Sequence, residues 1–223
     1  MTVGTGPAAA VVFSPDGKML AVASGATVEL WNVTNPAEPS KIGLPITGPV
    51  NAVGAMRFSP NGRTLATGSF DGTIRLWNLD APAYPRLIGQ PLDEHDGFVN
   101  SLAYSPNGRI LASGNGNGTF QLWDVASSGA VQPHGTPIIA ANSYVYSLDF
   151  SRDGGTLATG STDSSIRLWS LNVNTAISRI CALSKNNLTQ AQWAKYVQGE
   201  SYKPPCGTRG LLTFAGSIDK RSG

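Results

Sequence analysis

Charged, cysteine and histidine side chains are all scarce in this chain of 223 residues. Only 13% of the residues are charged, the formal net charge is +2, and there are two cysteines and two histidines. So weak and unclustered a positive charge gives no support for nucleic-acid binding. Two cysteines and two histidines are too few for a disulfide framework or a metal cluster. We therefore expect no metal, no cofactor and no nucleic acid.

The sequence also lacks an apolar run of the about 18 residues that a membrane span needs. Its first residues, MTVGTGPAAAVVF, place no basic segment before a short apolar stretch, which is not typical of a signal peptide. We expect a soluble cytoplasmic protein without a membrane partner. In that compartment Cys181 and Cys206 would be thiols.

Motifs of catalysis are missing as well. The stretch GTGPAA at 4–9 imitates a dinucleotide-binding fingerprint, but no strand precedes it and Pro7 interrupts it. The chain has neither a phosphate-binding P-loop nor the G-x-S-x-G turn of a nucleophilic serine. The sequence thus predicts a protein that is not an enzyme.

What the sequence does contain is a repeat of 46 residues. Four tryptophans keep this spacing: Trp31, Trp77, Trp123 and Trp169. Before each tryptophan lies a turn block that begins with an aromatic residue, and these blocks read FSPDG, FSPNG, YSPNG and FSRDG. Two landmarks with one period indicate stacked supersecondary units.

Within a repeat, apolar and polar residues alternate with the period of a β-strand. Asn-Gly and Asp-Gly pairs separate the strands and favour tight hairpin turns. Each unit reads as three antiparallel strands and a looser fourth, such as 86–90, which is the composition of a β-propeller blade. We predict an all-β chain with blades at about 9–47, 53–91, 99–140 and 145–181.

The blocks FSPDG, LATGS and DGTIRLWN together resemble the WD40 repeat, and the resemblance covers roughly residues 9–181. It implies a hydrogen-bonded set of His, Ser or Thr, Asp and Trp in each blade. Asp71 and Asp163 stand at the aspartate position, whereas Gly25 and Asn117 replace it elsewhere. Only the third repeat has a histidine at the family's histidine position, His95. No blade holds the whole set, and we expect blade 1 to be the least rigid.

The resemblance also implies a function, that of a non-catalytic protein–protein interaction scaffold that binds a protein or peptide. Partners of WD40 proteins commonly contact the residue before the aspartate of the second hairpin turn. They also contact the residues on either side of the valine that begins the first strand of a blade. We select the following positions as the contact residues: Phe70, Phe98, Asn100, Tyr144, Tyr146 and Thr162. Two alternatives stay open: Phe98 and Tyr146 could pack between blades, and a propeller-type hydrolase is a less favoured function.

Four repeats are few for this family, whose rings usually contain about seven blades within a known range of about four to eight. An open arc would expose two apolar blade faces. The chain could be the C-terminal part of a longer propeller, it could self-associate through those faces, or it could form a small four-bladed ring.

The pattern changes after the fourth repeat. Residues 188–197 predict a short helix within a C-terminal extension at 183–206, because Thr189 and Gln192 match a capping box. The helix could pack on the last blade or bind a partner. Residues 207–223 are read as a disordered tail. Cys181 and Cys206 could clamp the extension if they were oxidised, at a gain of about 3 kcal/mol.

The segment ICALSKNNLTQAQWAKYVQGESYKPPC, residues 180–206, resembles the tail of WD40 regions in actinobacterial multidomain signalling proteins. In those proteins the propeller follows a nucleotide-binding switch domain or a DNA-binding helix-turn-helix. The resemblance implies a sensor or assembly module of a signalling system. The alternative is a truncated sensor region of a signalling NTPase or a helix-turn-helix regulator.

Overall fold

The computed structural model describes residues 8–93, 97–125 and 131–172. All regular elements in these ranges are β-strands, which confirms the all-β prediction. His95, Cys181, Cys206 and the predicted helix at 188–197 lie outside the described residues. Among the described residues, no helix has the length and apolar character to cross a bilayer.

Each sequence repeat forms one antiparallel sheet, and we number the sheets as blades 1 to 4 in chain order. Blade 1 contains β1 (Ala8–Phe13), β2 (Met19–Ser24), β3 (Thr27–Asn32) and β4 (Ser40–Ile46). Blade 2 contains β5 (Val53–Phe58), β6 (Thr64–Ser69), β7 (Thr73–Asn78), β8 (Arg86–Leu87) and β9 (Leu92–Asp93). Blade 3 contains β10 (Val99–Tyr104), β11 (Ile110–Asn115), β12 (Thr119–Asp124), β13 (Gln132–Pro133) and β14 (Ile138–Ile139). Blade 4 contains β15 (Val145–Phe150), β16 (Thr156–Ser161) and β17 (Ile166–Ser170).

The first hairpin of each blade turns through the Ser-Pro-Asn-Gly block or its variant. In blade 2 the amide of Gly62 donates to the carbonyl of Ser59 over 2.8 Å, and Gly62 has a φ of +71° that favours glycine. The Ser59 hydroxyl donates to Asn61 Oδ1 over 2.7 Å and accepts the amide of Thr64 over 3.0 Å. The block is therefore a turn held by its own side chains.

The fourth strand of blade 2 is not the single run that the sequence predicts for 86–90. It divides into β8 and β9, which both pair with β7. Gly89 lies between them at a φ of +68°, a left-handed conformation that bends the chain out of the ladder. The outer edge of this blade is consequently short and irregular.

The repeated tryptophan has the same partner in three blades. The indole nitrogen of Trp77 donates to the Thr67 hydroxyl over 3.0 Å, and the equivalent bonds of Trp123 and Trp169 have the same length. Blade 1 differs because Val22 stands where the others have a hydroxyl. Trp31 donates instead to the Glu29 carboxylate over 3.2 Å. The indole N–H thus keeps an acceptor in every blade.

The hydrophobic core lies between successive blades. Ile74 and Leu76 of blade 2 pack with Val99 and Leu102 of blade 3. A Cβ atom on Gly68 would lie only 2.4 Å from Val99 Cγ1, so the missing side chain lets β6 and β10 approach closely. Each first strand therefore packs on the blade before it.

The four described blades do not close into a four-bladed ring. Val11 and Phe13 of blade 1 are exposed, as are Ile166 and Leu168 of blade 4. These positions are buried or half-buried in the blades that have a neighbour on that side. Of the three arrangements that the sequence left open, the small ring formed by these blades alone is wrong.

Candidate protein-interaction surface

The predicted contact residues come together at one end of each blade. The amide of Phe70 in the β6–β7 turn donates to the carbonyl of Ala52 over 2.9 Å. The same bond recurs in blade 4, where the Thr162 amide donates to the carbonyl of Tyr144 over 3.1 Å. It ties the second hairpin to the loop that leads into the first strand. Residues 18 apart in the sequence therefore share one surface.

A β-bulge shapes the start of the first strand in every blade. The register shifts between Val99 and Ser101 in blade 3 and between Val145 and Ser147 in blade 4. Asn100 and Tyr146 are the bulged residues, and a bulge re-aims a side chain out of the ladder. Tyr146 is exposed, whereas the Asn100 amide nitrogen is buried without a hydrogen-bond partner among the described residues.

Four aromatic side chains dominate this end of blades 2 to 4, and we call them the aromatic patch: Phe70, Phe98, Tyr144 and Tyr146. Their exposed fractions lie between 39% and 62%. The rings of Phe70 and Phe98 make a tilted contact across the blade boundary, with centroids 5.5 Å apart. So much aromatic surface in contact with solvent is unusual outside binding sites.

Glycine makes room for these rings. A Cβ atom on Gly54 would lie 2.5 Å from Cε1 of Phe70, so the ring covers the bulge of its own blade. In blade 3, Gly116 stands at the position of Phe70, so no side chain covers the surface beside Phe98 there. In blade 4 the position holds Thr162, whose hydroxyl donates to Ser143 Oγ over 2.7 Å. The patch is therefore uneven in height, with polar groups between the rings.

Asp71 lies next to Phe70 in the β6–β7 turn and stabilises the loops of the patch, and we call its set of bonds the Asp71 brace. Its carboxylate accepts the amide of Thr73 over 2.9 Å and the amide of Val50 over 2.8 Å, and it pairs with Arg75 over 3.3 Å. The side chains of Asp71 and Arg75 are both largely buried. The bond to Val50 holds the loop that enters blade 2, a role that no sequence motif indicates.

Asp163 has the same arrangement in blade 4. It accepts the amide of Ser165 over 2.9 Å and the amide of Asn142 over 3.1 Å, and Arg167 lies 3.8 Å away. Hydrogen bonds from Ser165, followed by the Asn142 amide, hold the pKa of this carboxyl below its usual range. In blade 1 the turn is one residue shorter, with Ser24 paired to Thr27, and Gly25 supplies no carboxylate. Among the described residues, this pairing of an aspartate with an arginine thus occurs in blades 2 and 4.

Acid is expected to weaken the brace at Asp71. Burial alone would raise its pKa, but hydrogen bonds from Thr73 and the Val50 amide, with the Arg75 charge, lower it below the usual 3.8. A lowered pKa stabilises the fold above the unfolded-state value, and that gain is lost as pH falls through the folded-state pKa. We expect the melting temperature of the wild type to fall more steeply below about pH 4 than that of Asp71→Asn. Parallel melting curves for the two proteins would contradict this.

A concave region lies between blades 2 and 3, at the end of the blades opposite to the aromatic patch. It encloses about 420 Å³ and is lined by the turn at Ser59 and Asn61 and by Tyr104 and Arg109. The Tyr104 hydroxyl is buried without a partner among the described residues, and burial raises its pKa. In the described part of the chain, no three histidine, cysteine or acidic side chains come together as a metal site.

Repeated antiparallel sheets, stacked through their first strands, define the chain as a set of β-propeller blades. The family model of the WD domain, G-beta repeat, matches residues 4–32, 43–78, 87–124 and 134–170, more than half of the chain. The chain belongs to the WD40-repeat family. The match confirms the family that the repeated blocks indicate.

Comparison with solved structures gives the same fold. A chain in the crystal structure of a mitotic checkpoint complex is similar at 25% sequence identity, with a TM-score of 0.62. The similarity covers 74% of the present chain and 51% of the other. The present chain thus spans about half the length of that structural relative. No curated protein matches it in sequence.

Proposed function

We propose that the chain is a non-catalytic interaction module that binds a protein or peptide through the aromatic patch. The observation that carries the proposal is the pair of Phe70 and Phe98, which contact each other across two blades and still face solvent. The WD40 family membership and the structural relative from a checkpoint complex support it.

The patch has the physical character of a binding surface. Aromatic side chains give a large contact area at a small cost in side-chain entropy, and they are enriched among residues that dominate binding energy. Bulges, turns and the Asp71 brace fix the backbone beneath the rings. A rigid scaffold with exposed rings loses little freedom on binding.

The test uses peptides selected from a random displayed library on the full chain. Phe98→Ala combined with Tyr144→Ala should raise the dissociation constant of a selected peptide by about tenfold to a hundredfold, because two rings leave the contact. Isothermal titration calorimetry measures the change. Both side chains are about half exposed, so the melting temperature should stay near the wild-type value.

Tyr84→Ala is the matched control. Tyr84 is an exposed aromatic residue in the β7–β8 loop of blade 2, outside the patch. Its loss should leave the peptide affinity unchanged. Equal weakening by both variants, or unfolding of the double variant, would contradict the assignment of the patch as the contact surface.

We further propose a role in signalling, as a cytoplasmic sensor or assembly module. The proposal rests on the sequence of the extension at 183–206, from which we infer a resemblance to the tail of WD40 regions in actinobacterial signalling proteins. A switch NTPase domain or a helix-turn-helix encoded in the same gene would agree with this role. A genome in which neither domain is encoded in the same gene or in an adjacent gene would argue against this role.

A further inference from the structure

The two end blades of the arc each expose an apolar face that has a buried counterpart elsewhere in the chain. Val11 and Phe13 of blade 1, with Ile166 and Leu168 of blade 4, are between 61% and 80% exposed. The residues at the same positions of blade 2 are 7% exposed or less: Met56, Phe58, Ile74 and Leu76. Blade 2 differs in having a blade on each side.

The two exposed faces are complementary, because they are the two halves of one recurring contact. Inside the chain, Leu76 on the third strand of blade 2 shares a core with Leu102 on the first strand of blade 3. Leu168 holds the position of Leu76, and Val11 holds the position of Leu102. The face of blade 4 therefore has the shape that receives a first strand, and blade 1 presents a first strand.

A glycine marks the receiving face in blades 2 to 4, whereas blade 1 has Ala23 at that position. A Cβ atom on Gly68 would meet Val99 of blade 3, and one on Gly114 would meet Val145 and Leu148 of blade 4. Gly160 is the same residue in blade 4, and only Ser147 of its own blade lies near it. The hollow that admits a neighbouring first strand is thus present on blade 4 and unfilled by the described residues.

We propose that a second copy of this chain fills it. Blade 1 of each copy packs on blade 4 of the other, so that the start of β1 lies over Gly160 and Val11 lies beside Leu168 of the opposite copy. A heterologous contact of this kind closes when the rotation allows it. Two arcs of four blades close with two identical contacts related by a twofold axis. The eight blades stay within the range of known propellers.

The first measurement is the mass of the full chain in solution, by light scattering after size-exclusion chromatography. The expected mass is that of two copies. Val11→Glu places a carboxylate in both contacts, and Leu168→Lys places an ammonium group in both. Either variant should raise the dimer dissociation constant by about a hundredfold or more and give a monomer. Tyr84→Glu, an equally exposed change on a blade with two neighbours, should leave the dimer intact.

Mixing the two variants tests the direction of packing. In a mixed pair, one contact has wild-type faces, and the other sets the introduced carboxylate of one copy against the introduced ammonium group of its partner, so the dimer should return. Pairing of like faces would let one of the two variants dimerise by itself and would overturn the head-to-tail arrangement. Because both positions are exposed in the single chain, the circular dichroism spectra of the variants should match the wild type, and their melting temperature should fall only by the stabilisation that dimerisation adds.

Three results would overturn the proposal. The first is a monomer at every accessible concentration, which would mean that something other than a second copy covers the faces. The second is a dimer that neither variant changes. The third is a series of larger species, because repeated head-to-tail contacts that fail to close make open chains.

Discussion

We expect that replacement of Gly68 by alanine lowers the free energy of unfolding by about 2–3 kcal/mol, because overpacking destabilises a close-packed core. The new Cβ atom would lie 2.4 Å from Cγ1 and 2.9 Å from Cβ of Val99. The Cβ of Val99 cannot rotate away, so blades 2 and 3 must move apart. Without this clash, alanine in a strand would stabilise the chain. Urea unfolding measures the loss, and the melting temperature should fall by about 5–10 °C.

Gly160→Ala is the control for that experiment, because it makes the same change at the same position of blade 4. The only close atom there among the described residues is the Ser147 hydroxyl oxygen, at 2.7 Å, which a side-chain rotation removes. Its effect should be well below that of Gly68→Ala when both proteins are measured as monomers. Equal losses would mean that strand propensity, and not the contact between blades, sets the cost.

Replacement of Asp71 by alanine should cost about 3 kcal/mol of folding free energy. The change removes the acceptor for two backbone amides and leaves the Arg75 guanidinium largely buried without its carboxylate. An uncompensated buried charge is the main part of that cost. Thermal melts at neutral pH measure the loss. The loop at Val50 should also exchange its amide hydrogens faster.

Two further variants separate the contributions. Asp163→Ala removes the same hydrogen bonds in blade 4, but Arg167 is more exposed than Arg75 and lies farther from its carboxylate, so the loss should be clearly smaller. Adding Arg75→Leu to Asp71→Ala should restore part of the stability, because the unpaired charge is gone. If the double variant is less stable than Asp71→Ala, the buried charge is not the cause.

The sequence predicts the blades well because each landmark has a local physical cause. The Ser-Pro-Asn-Gly turn is closed by its own side chains, so its meaning does not depend on the neighbours. In blades 2 to 4 the repeated tryptophan has one local indole bond to a hydroxyl on the adjacent strand. Both signals act over a few residues, and the sequence displays them in full.

Features that depend on contacts between residues far apart in the sequence cannot be predicted from the sequence alone. Glu29 accepts the Trp31 bond because Val22 removes the usual hydroxyl, and only the strand pairing shows that the three residues meet. The bond from the Val50 amide to Asp71 depends likewise on neighbours in space. The contact residues could be selected only through the WD40 resemblance, and their role in binding stays a prediction.

The close packing over Gly68 of β6 and Gly114 of β11 has a consequence for how the number of repeats can change. Each blade has one face that receives a first strand and one first strand that packs on another blade, although the receiving position is a glycine in blades 2 to 4 and Ala23 in blade 1. A duplicated or deleted repeat would meet the same kind of neighbour at both junctions, so gain or loss of a whole repeat keeps the type of contact between blades. Blade number is then constrained by the wedge angle that must complete a full circle, and by little in any single repeat.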